Sequence, residues 1–325
     1  MALLLDIGRR LLQAVGLLVA VAVLNFTLIH IAPGDVVETI VGEMGGASEE
    51  TIKQLRATYG LDRSFPEQLG IYLKRVVTGD LGQSVYFNKP VLSLILERIP
   101  ATVLLVFTAL VMALILGVVL GVLSAWVPRS WFAAFVNIFS VFGFSAPVFW
   151  SGLILLLIFA VWIPLVPASG MFDVVKDAKG FARVLDILHH LVLPAFTLAL
   201  IYLALYARLS RASMLEVMGS DYVRTARAKG LPERTVLFKH ALRNALLPIV
   251  TIAGLQMSGM FAGAVLVETV FTWPGMGQLA YDSILRRDNQ LILGILLVSA
   301  ILVIVGNTLT DIVYRIVDPR IRVGS

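Results

Sequence analysis

Residues 208–243 read RLSRASMLEVMGSDYVRTARAKGLPERTVLFKHALR and form a polar, basic block between two long apolar stretches. The block carries eight Lys or Arg and three acidic residues, although only 14% of the whole chain is charged. Of the 325 residues of the chain, 58% are hydrophobic, against about 45–50% in soluble globular domains. A basic block inside so apolar a chain indicates a membrane protein with one water-exposed segment that another protein can bind.

The apolar residues around this block fall into stretches long enough to cross a bilayer. A spanning helix needs about 20 apolar residues, because each residue rises about 1.5 Å through a hydrocarbon core of about 30 Å. Six stretches qualify: 11–32, 101–127, 132–163, 191–207, 247–271 and 291–314. The first exceeds a signal-peptide core and no small-x-small cleavage site follows it, so we expect a retained span. The sequence therefore predicts an all-α, polytopic membrane protein with six transmembrane helices. The third contains Pro147, and either it is kinked there or its polar, proline-containing part faces other helices.

The placement of Lys and Arg predicts the orientation. With residues 1–10 inside, the inner segments carry 14 of the 26 Lys and Arg, at about twice the density of the outer segments. The positive-inside rule therefore favours both termini in the cytoplasm, the segment 33–99 outside and the segment 208–246 inside. Because the basic residues are spread over short loops, membrane topology explains the net charge of +5 better than nucleic-acid binding does.

The outer segment 33–99 has helical patterns of its own. Ser48 precedes Glu49 and Glu50 and can cap a helix that ends at Gly60. A second amphipathic helix is predicted from Pro66 to Val77, and a third from Val91 to Glu97 before the next span. We expect a small helical cap on the outer face; a plain tether is the alternative.

Motifs for catalysis are missing from the sequence. It contains no GxxxxGK[ST] phosphate loop, no HExxH, no GxSxG and no cysteine, and its four histidines stand outside any metal motif. We therefore expect no enzyme activity, no catalytic residue, no metal site and no cofactor in this chain.

A few polar residues interrupt the spans and are candidates for a transport pathway or for helix packing. They are Asn137, Ser145, Gln256, Glu268 and Asn307. Glu268 lies near the outer end of its span and is expected to reach the interface, and Asp311 is placed to pair with Arg315. An ion-coupled transporter requires a chain of ionisable groups at mid-membrane, which this pattern does not provide.

The basic block itself predicts two short helices. Ser220 and Asp221 can cap the first, Gly230 can end it, and Pro232 suits the start of the second. The small residues Ala226 and Ala228 near the bend allow another protein to approach closely. The alternative is a solvated loop that only satisfies the positive-inside rule.

The stretch DYVRTARAKGLPERTVLFKHALRNALLP, residues 221–248, resembles the coupling loop of ATP-binding-cassette (ABC) importer permeases, in particular the dipeptide/oligopeptide/nickel branch. The general pattern of that loop is Glu-Ala-Ala, three residues, Gly, nine residues and Ile-x-Leu-Pro. Ala226, Gly230 and Leu242 match it, whereas Pro248 lies five residues beyond its proline, which is similar to the peptide branch's own variant. Stretches along nearly the whole chain, such as GAVLVETVFTWPGMGQL at 263–279, resemble the same branch in the same order.

The resemblance implies a type I ABC importer permease of the B type in the cytoplasmic membrane of a prokaryote, with a permease core over 100–325. Its expected partners are a second homologous permease, two ATP-binding subunits or one fused ATPase that hold ATP and Mg, an extracytoplasmic binding protein and membrane lipid. The expected contacts with the ATPase are Asp221, Arg224, Thr225, Ala226, Arg227, Ala228, Lys229, Gly230, Leu231 and Pro232.

The implied function is import of di- or oligopeptides by alternating access. The same machine importing nickel chelates, glutathione or another small solute is the first alternative. An ion-coupled secondary transporter and a membrane-embedded enzyme are the weaker ones.

Overall fold

The computed structural model describes residues 2–31, 36–43, 45–58, 60–176 and 178–317. Within these ranges the chain is helical, and the sole β feature is an isolated bridge between Gln83 and Pro90. The helices are α1 Ala2–Ile31, α2 Val36–Glu43, α3 Glu49–Thr58, α4 Phe65–Thr78, α5 Val91–Trp126, α6 Trp131–Ser145, α7 Val148–Leu156, α8 Phe181–Met218, α9 Asp221–Ala228, α10 Glu233–Thr235, α11 Leu242–Val270, α12 Met276–Leu285 and α13 Asn289–Val317. Two π-helical turns, Leu157–Trp162 and Val236–Ala241, follow α7 and α10.

Several of these helices are long and apolar enough to cross a membrane. Four qualify singly: α5, α8, the continuous helix Glu233–Val270 and the part of α13 from Asn289 to Thr310. The pair Trp131–Ser145 and Val148–Trp162 qualifies together and is bent by 112°. The structure thus confirms the alternative of a kink at Pro147, and α1 contributes a shorter apolar stretch, Leu12–Leu28. The fold is the all-α membrane fold that the sequence predicts.

Two helices are longer than the apolar stretches that predicted them. The stretch 191–207 lies inside the 38 residues of α8, and the separate helix predicted over 91–97 continues through Pro100 as α5. Apolar patterning marks the part of a helix that lies in hydrocarbon, not the point where its hydrogen bonds end. A proline inside a membrane helix is tolerated when neighbouring groups compensate for its missing N–H. The helix α12 has no counterpart among the helices predicted from the sequence.

The predicted outer helices are present as α3 and α4. Thr51 donates its backbone N–H to Ser48 Oγ at 3.3 Å, and Gly60 follows α3 with φ +68°. At the start of α4, the N–H and hydroxyl of Ser64 donate to Glu67, and these hydrogen bonds lower the pKa of that carboxyl. The location of this segment outside the membrane stays a prediction.

The chain divides into two compact units, of which the first is 1–100 with 276–305. Its core packs the start of α5 against α13: Val91, Ile95, Leu291 and Ile295 are almost completely buried. Gly294 is part of this contact, because a Cβ there would collide with the Val91 side chain. This unit contains the helices α2, α3 and α4 of the outer segment, and it also contains α12.

The second unit, 101–275 with 306–325, is built around α8. Glycines of its neighbouring helices face α8 at distances that leave little or no room for a Cβ atom. A Cβ at Gly121 of α5 would collide with Ser210, and one at Gly143 of α6 would lie 3.1 Å from the Ala204 Cβ. Such small residues let membrane helices approach closely. This packing fixes the position of α8 and therefore of the segment that follows it.

Candidate functional site: an elbow between two long helices

The basic block folds into a short helix and a sharp bend, which we call the elbow, residues 221–233. After α8 ends, Ser220 takes the N-cap position of α9, and Asp221 lies in the first turn, where its charge suits the helix dipole. The predicted capping hydrogen bond from the Ser220 side chain is not formed, and Ser220 Oγ donates to the Val217 carbonyl at 2.6 Å. The helix is nevertheless present at the predicted place.

Gly230 makes the bend that the sequence predicts. Its φ of +71° lies in the left-handed region that side chains with a Cβ rarely adopt. A Cβ built there would meet nothing within 4 Å. The glycine is therefore required by the backbone conformation, and the space around it is open to another molecule.

A small apolar core supports the elbow from within. Val223 and Val236 are 0% exposed and Ala226 is 6% exposed, and these residues pack together with Val217. Ala226 therefore packs inward, although it is among the expected contact residues. The other nine expected contacts, Asp221, Arg224, Thr225, Arg227, Ala228, Lys229, Gly230, Leu231 and Pro232, are exposed.

An ion pair closes the bend. Arg227 at the end of α9 donates through Nη2 to Glu233 Oε1 at 2.7 Å and through Nε to Glu233 Oε2 at 3.2 Å. Both residues lie in the polar segment between the apolar stretches 191–207 and 247–271. The paired hydrogen bonds hold the pKa of Glu233 below and that of Arg227 above its ordinary value. The pair ties the two sides of Gly230 together.

A second bond connects α9 to the following helix. Asn244 Nδ2 donates to the hydroxyl of Tyr222 at 2.8 Å. Sequence reasoning missed Tyr222, Glu233 and Asn244, since contacts over 6 and 22 positions leave no periodic signal. These residues hold α9 in one orientation.

The helix that leaves the elbow continues without a break through the membrane span. α10, a π-helical turn and α11 form a single helical run of 38 residues, Glu233–Val270. Within it, Leu237, Ala241 and Ala245 are buried against Val122, Ala125 and Met214 of α5 and α8. At 1.5 Å per residue the run is about 57 Å long, which exceeds the hydrocarbon core of about 30 Å. Its first turns therefore stand outside the membrane as a rigid extension of the span.

The polar residues predicted within the spans do not form one cluster. Asn137 and Ser145 are exposed on α6, and Ser145 Oγ donates to the Val141 carbonyl at 2.9 Å. Gln256 is half-buried on α11. Asn307 on α13 is exposed and accepts a hydrogen bond from Ser258 Oγ at 2.6 Å. Ser258 is a residue that the sequence analysis missed.

Glu268 is the exception, because it is completely buried. Its exposed fraction is 0%, and Thr102 Oγ1 donates to its Oε1 at 2.7 Å. Next to it, Trp273 Nε1 donates to the Ala101 carbonyl at 2.9 Å. The expectation that Glu268 reaches the membrane interface is wrong, because its carboxyl is bonded to α5 instead. The side chains of Asp311 and Arg315 lie outside the described residues.

Comparison with known proteins places this arrangement in a family. The family model described as "Binding-protein-dependent transport system inner membrane component" matches residues 117–323. The model for the N-terminal part of such membrane components matches residues 3–106.

Curated relatives match nearly the whole chain. A "Dipeptide transport system permease protein" of Alkalihalophilus pseudofirmus is 38% identical over 97% of this chain and 98% of its own length. An "Oligopeptide transport system permease protein" of Bacillus subtilis is 40% identical over 96% of this chain and 98% of its own length. A "Di/tripeptide transport system permease protein" of Pseudomonas aeruginosa is 40% identical over 97% of this chain and 98% of its own length.

A solved structure shares the fold. A chain of the MetNI methionine ABC transporter, in an inward-facing conformation, superposes with a TM-score of 0.54 at 19% identity, over 70% of this chain and 97% of its own length. The chain belongs to the family of binding-protein-dependent transport system inner membrane components, the multi-pass permease subunits of type I ABC importers.

Proposed function

We propose that this chain is the transmembrane permease subunit of an ATP-driven importer that moves di- or oligopeptides across the cytoplasmic membrane by alternating access. The relatives named for dipeptide, oligopeptide and di/tripeptide transport match it at 38–40% identity over nearly its full length. The structural observation that supports the proposal best is the exposed elbow, which is continuous with the 38-residue helix through the membrane.

The elbow is suited to transmit force from an ATP-hydrolysing partner. Its exposed surface includes Gly230 with open space around it, while Val223 and Val236 anchor it from below. Because Glu233 begins a helix that has no break before Val270, a displacement of the elbow moves the whole helix. ATP and Mg belong to the partner subunits, two ATP-binding chains or one fused ATPase.

The charge of the elbow indicates the surface that it meets. Lys229 and Arg234 are exposed and basic; Arg224 is also exposed but lies 3.3 Å from Asp221, and Arg227 is paired with Glu233. A groove with acidic residues at its rim and an apolar floor for Leu231 fits this surface, because exposed cations gain most from a facing carboxylate. The remaining partners in this proposal are a second homologous permease and an extracytoplasmic binding protein that delivers the solute.

The proposed orientation puts both termini and the elbow in the cytoplasm and the segment 33–99 outside. A test uses the absence of cysteine from the chain. Single cysteines at Gln54 and Lys229 are treated with an impermeant maleimide in intact cells. We expect labelling of Gln54→Cys before permeabilisation and of Lys229→Cys only after it, and the reverse order would overturn the topology.

The substrate class is tested by uptake. Deletion of the gene should abolish ATP-dependent uptake of a labelled dipeptide, and a plasmid copy should restore it. If the deletion strain takes up dipeptides and tripeptides normally but no longer takes up a nickel chelate or glutathione, then that solute, and not a peptide, is the substrate. Uptake that follows a proton or sodium gradient and survives ATP depletion would reject the ABC mechanism.

A further inference from the structure

Arg208 is an exposed cation that lies deeper in the membrane than its place in the sequence indicates. The apolar stretch 191–207 of α8 ends just before it, but the helices packed against α8 remain apolar farther towards the elbow. On α5 the apolar stretch runs over 101–127, and Ala125 near its end packs with Met214 of α8. The hydrocarbon region on this side therefore extends about as far as Met214.

The position of α11 leads to the same boundary. Its apolar stretch begins at residue 247, and Ala245, just before that point, is buried in the same cluster as Met214. Arg208 precedes Met214 by six positions, so it lies about 9 Å inside the boundary along the axis of α8.

The side chain of Arg208 points away from this boundary. Its Cζ lies 5.8 Å from the centre of the Phe144 ring of α6. Gly143, next to Phe144, faces Ala204, because a Cβ at Gly143 would stand 3.1 Å from the Ala204 Cβ. Ala204 is one helical turn farther from the boundary than Arg208, in the direction in which the side chains of α8 lean. The guanidinium is therefore not extended towards the lipid headgroups, as that of an arginine in contact with lipid is.

The charge of Arg208 has no counterpart in the part of the chain that the structure describes, where its side chain forms neither an ion pair nor a hydrogen bond. Its surroundings are polar or small. Asn137, seven residues before Phe144 and so on the same face of α6, is exposed, and so is Ala212, one turn from Arg208 on α8. Hydrocarbon stabilises neither a cation nor an amide. The exposed face around Arg208 is therefore suited to water and an anionic ligand, and not to lipid tails.

We propose that Arg208 faces water beside the contact of α6 with α8 and binds the C-terminal carboxylate of the transported peptide. The identity of the ligand rests on the proposed function. A guanidinium offers paired N–H donors that match a carboxylate, and an aromatic ring such as that of Phe144 holds its plane without using those donors. A lipid phosphate stays outside the hydrocarbon core and does not reach a guanidinium at this depth. The C-terminal carboxylate is common to di- and oligopeptides whatever their side chains, so one arginine serves them all.

Charge-selective labelling tests whether the charge of Arg208 is exposed to water. Ala212→Cys provides the thiol, because a residue one helical turn away lies on the same face and the chain has no cysteine of its own. The whole complex, with partner subunits that carry no cysteine, is labelled in lipid nanodiscs with an anionic or a cationic methanethiosulfonate. We expect the ratio of the anionic to the cationic rate to fall about tenfold when Arg208→Gln is added. Ile138→Cys, at a position 58% exposed on the apolar face of α6, is the control for a thiol in contact with lipid.

Two results of this labelling would overturn the proposal. Rates at Ala212→Cys as slow as those at Ile138→Cys would place Arg208 against lipid. A rate ratio that Arg208→Gln leaves unchanged would show that a carboxylate of the second permease already neutralises the charge.

Protection by peptide tests the ligand. Without binding protein, so that the permease alone selects, dialanine should slow the labelling of Ala212→Cys at a concentration about tenfold lower than alanyl-alanine amide, which lacks the carboxylate. Arg208→Gln should abolish this difference, and Arg208→Lys, which keeps the charge but not the paired donors, should retain part of it. Equal protection by the two compounds when Arg208 is present, or none by either, would refute the carboxylate site. Uptake of dialanine by the wild type tests the proposed function separately, because a transporter that imports dialanine without this protection lacks the site and not the function.

Discussion

Arg227 and Glu233 bridge the Gly230 bend with two hydrogen bonds, Nη2 to Oε1 at 2.7 Å and Nε to Oε2 at 3.2 Å. One residue ends α9 and the other begins the helical run that crosses the membrane. The pair is part-exposed, so its contribution to stability is that of a surface ion pair, about 0.2–1 kcal/mol. Its larger effect is on the stiffness of the elbow, because the pair lies next to the Gly230 bend, whereas the other contacts between the two helices, the small core of Val223 and Val236 and the Tyr222–Asn244 hydrogen bond, lie farther from the bend.

Removal of the Arg227–Glu233 pair should weaken coupling more than stability. We expect Glu233→Ala to lower the unfolding temperature of the complex by only a few degrees, while solute uptake per ATP hydrolysed falls about two- to fivefold. The charge reversal Arg227→Glu with Glu233→Arg should recover part of the coupling ratio, because the pair can form again with opposite polarity. Equal coupling ratios in the wild type and in Glu233→Ala would show that the bend is stiff without the pair.

The Arg227–Glu233 pair also predicts how the stability of the chain depends on pH. Hydrogen bonds from Arg227 hold the pKa of Glu233 below its ordinary value of 4.5, so its contribution to stability is complete above that value and disappears as the pH falls through the lowered pKa. The difference in unfolding temperature between the wild type and Glu233→Gln should therefore stay constant from about pH 8 to about pH 5.5 and shrink only below about pH 4.5. A difference that already shrinks near pH 6.5 would implicate a histidine instead.

The loss of uptake on substitution of Gly230 should depend on how poorly the new residue tolerates a positive φ, and not on the volume of its side chain. Its φ of +71° is tolerated by asparagine better than by alanine and least by a β-branched residue. Uptake should therefore decrease in the order Gly, Asn, Ala, Val. Since a Cβ at this position would have no atom of this chain within 4 Å, the fold itself should survive all three changes. Asparagine is larger than alanine, so an order of Gly, Ala, Asn, Val would indicate that a partner's groove, and not backbone strain, limits the position.

The parts of the structure that the sequence predicts are those with local causes. Apolar stretches mark the spans, and the spacing of Gly230 and Pro232 marks the bend, because each depends on a few neighbouring residues. Likewise, Gly60 follows α3 with a φ of +68°, as its predicted position at the end of that helix requires. Features that depend only on neighbouring residues can be predicted without the tertiary structure.

The contacts that the sequence does not reveal join distant positions. Ser258 meets Asn307 over 49 positions, and Thr102 meets Glu268 over 166. Nothing near Glu268 in the sequence indicates that a threonine in another helix will bury its carboxyl. For the same reason, Ala226 could be identified as a small residue near the bend but not as one that packs inward.

Close packing of α5 on α8 should make Gly121 sensitive to a single methyl group. Gly121→Ala would push against Ser210 and the backbone of Ala207, which cannot move without displacing α8, and overpacking of this kind costs about 1–3 kcal/mol. Gly16→Ala in α1 is the matched control, because a Cβ there meets nothing within 4 Å. Thermal unfolding of the two purified variants should show a loss of several degrees for Gly121→Ala alone. Equal unfolding temperatures would mean that the helices are not in such close contact.

The buried carboxyl of Glu268 should depend on Thr102. Thr102→Val keeps the shape of the side chain but removes the hydroxyl that donates to Oε1 at 2.7 Å, and the loss of a hydrogen bond to a buried polar group costs about 1–3 kcal/mol. Thr102→Ser keeps the hydroxyl and loses one methyl group, so it should be the more stable of the two variants. Glu268→Gln retains an acceptor for Thr102 and should fall between the wild type and Thr102→Val. Unfolding temperatures of the three variants measure this order. If Thr102→Ser is as unstable as Thr102→Val, the methyl packing of Thr102, and not its hydrogen bond, holds α5 against the end of α11.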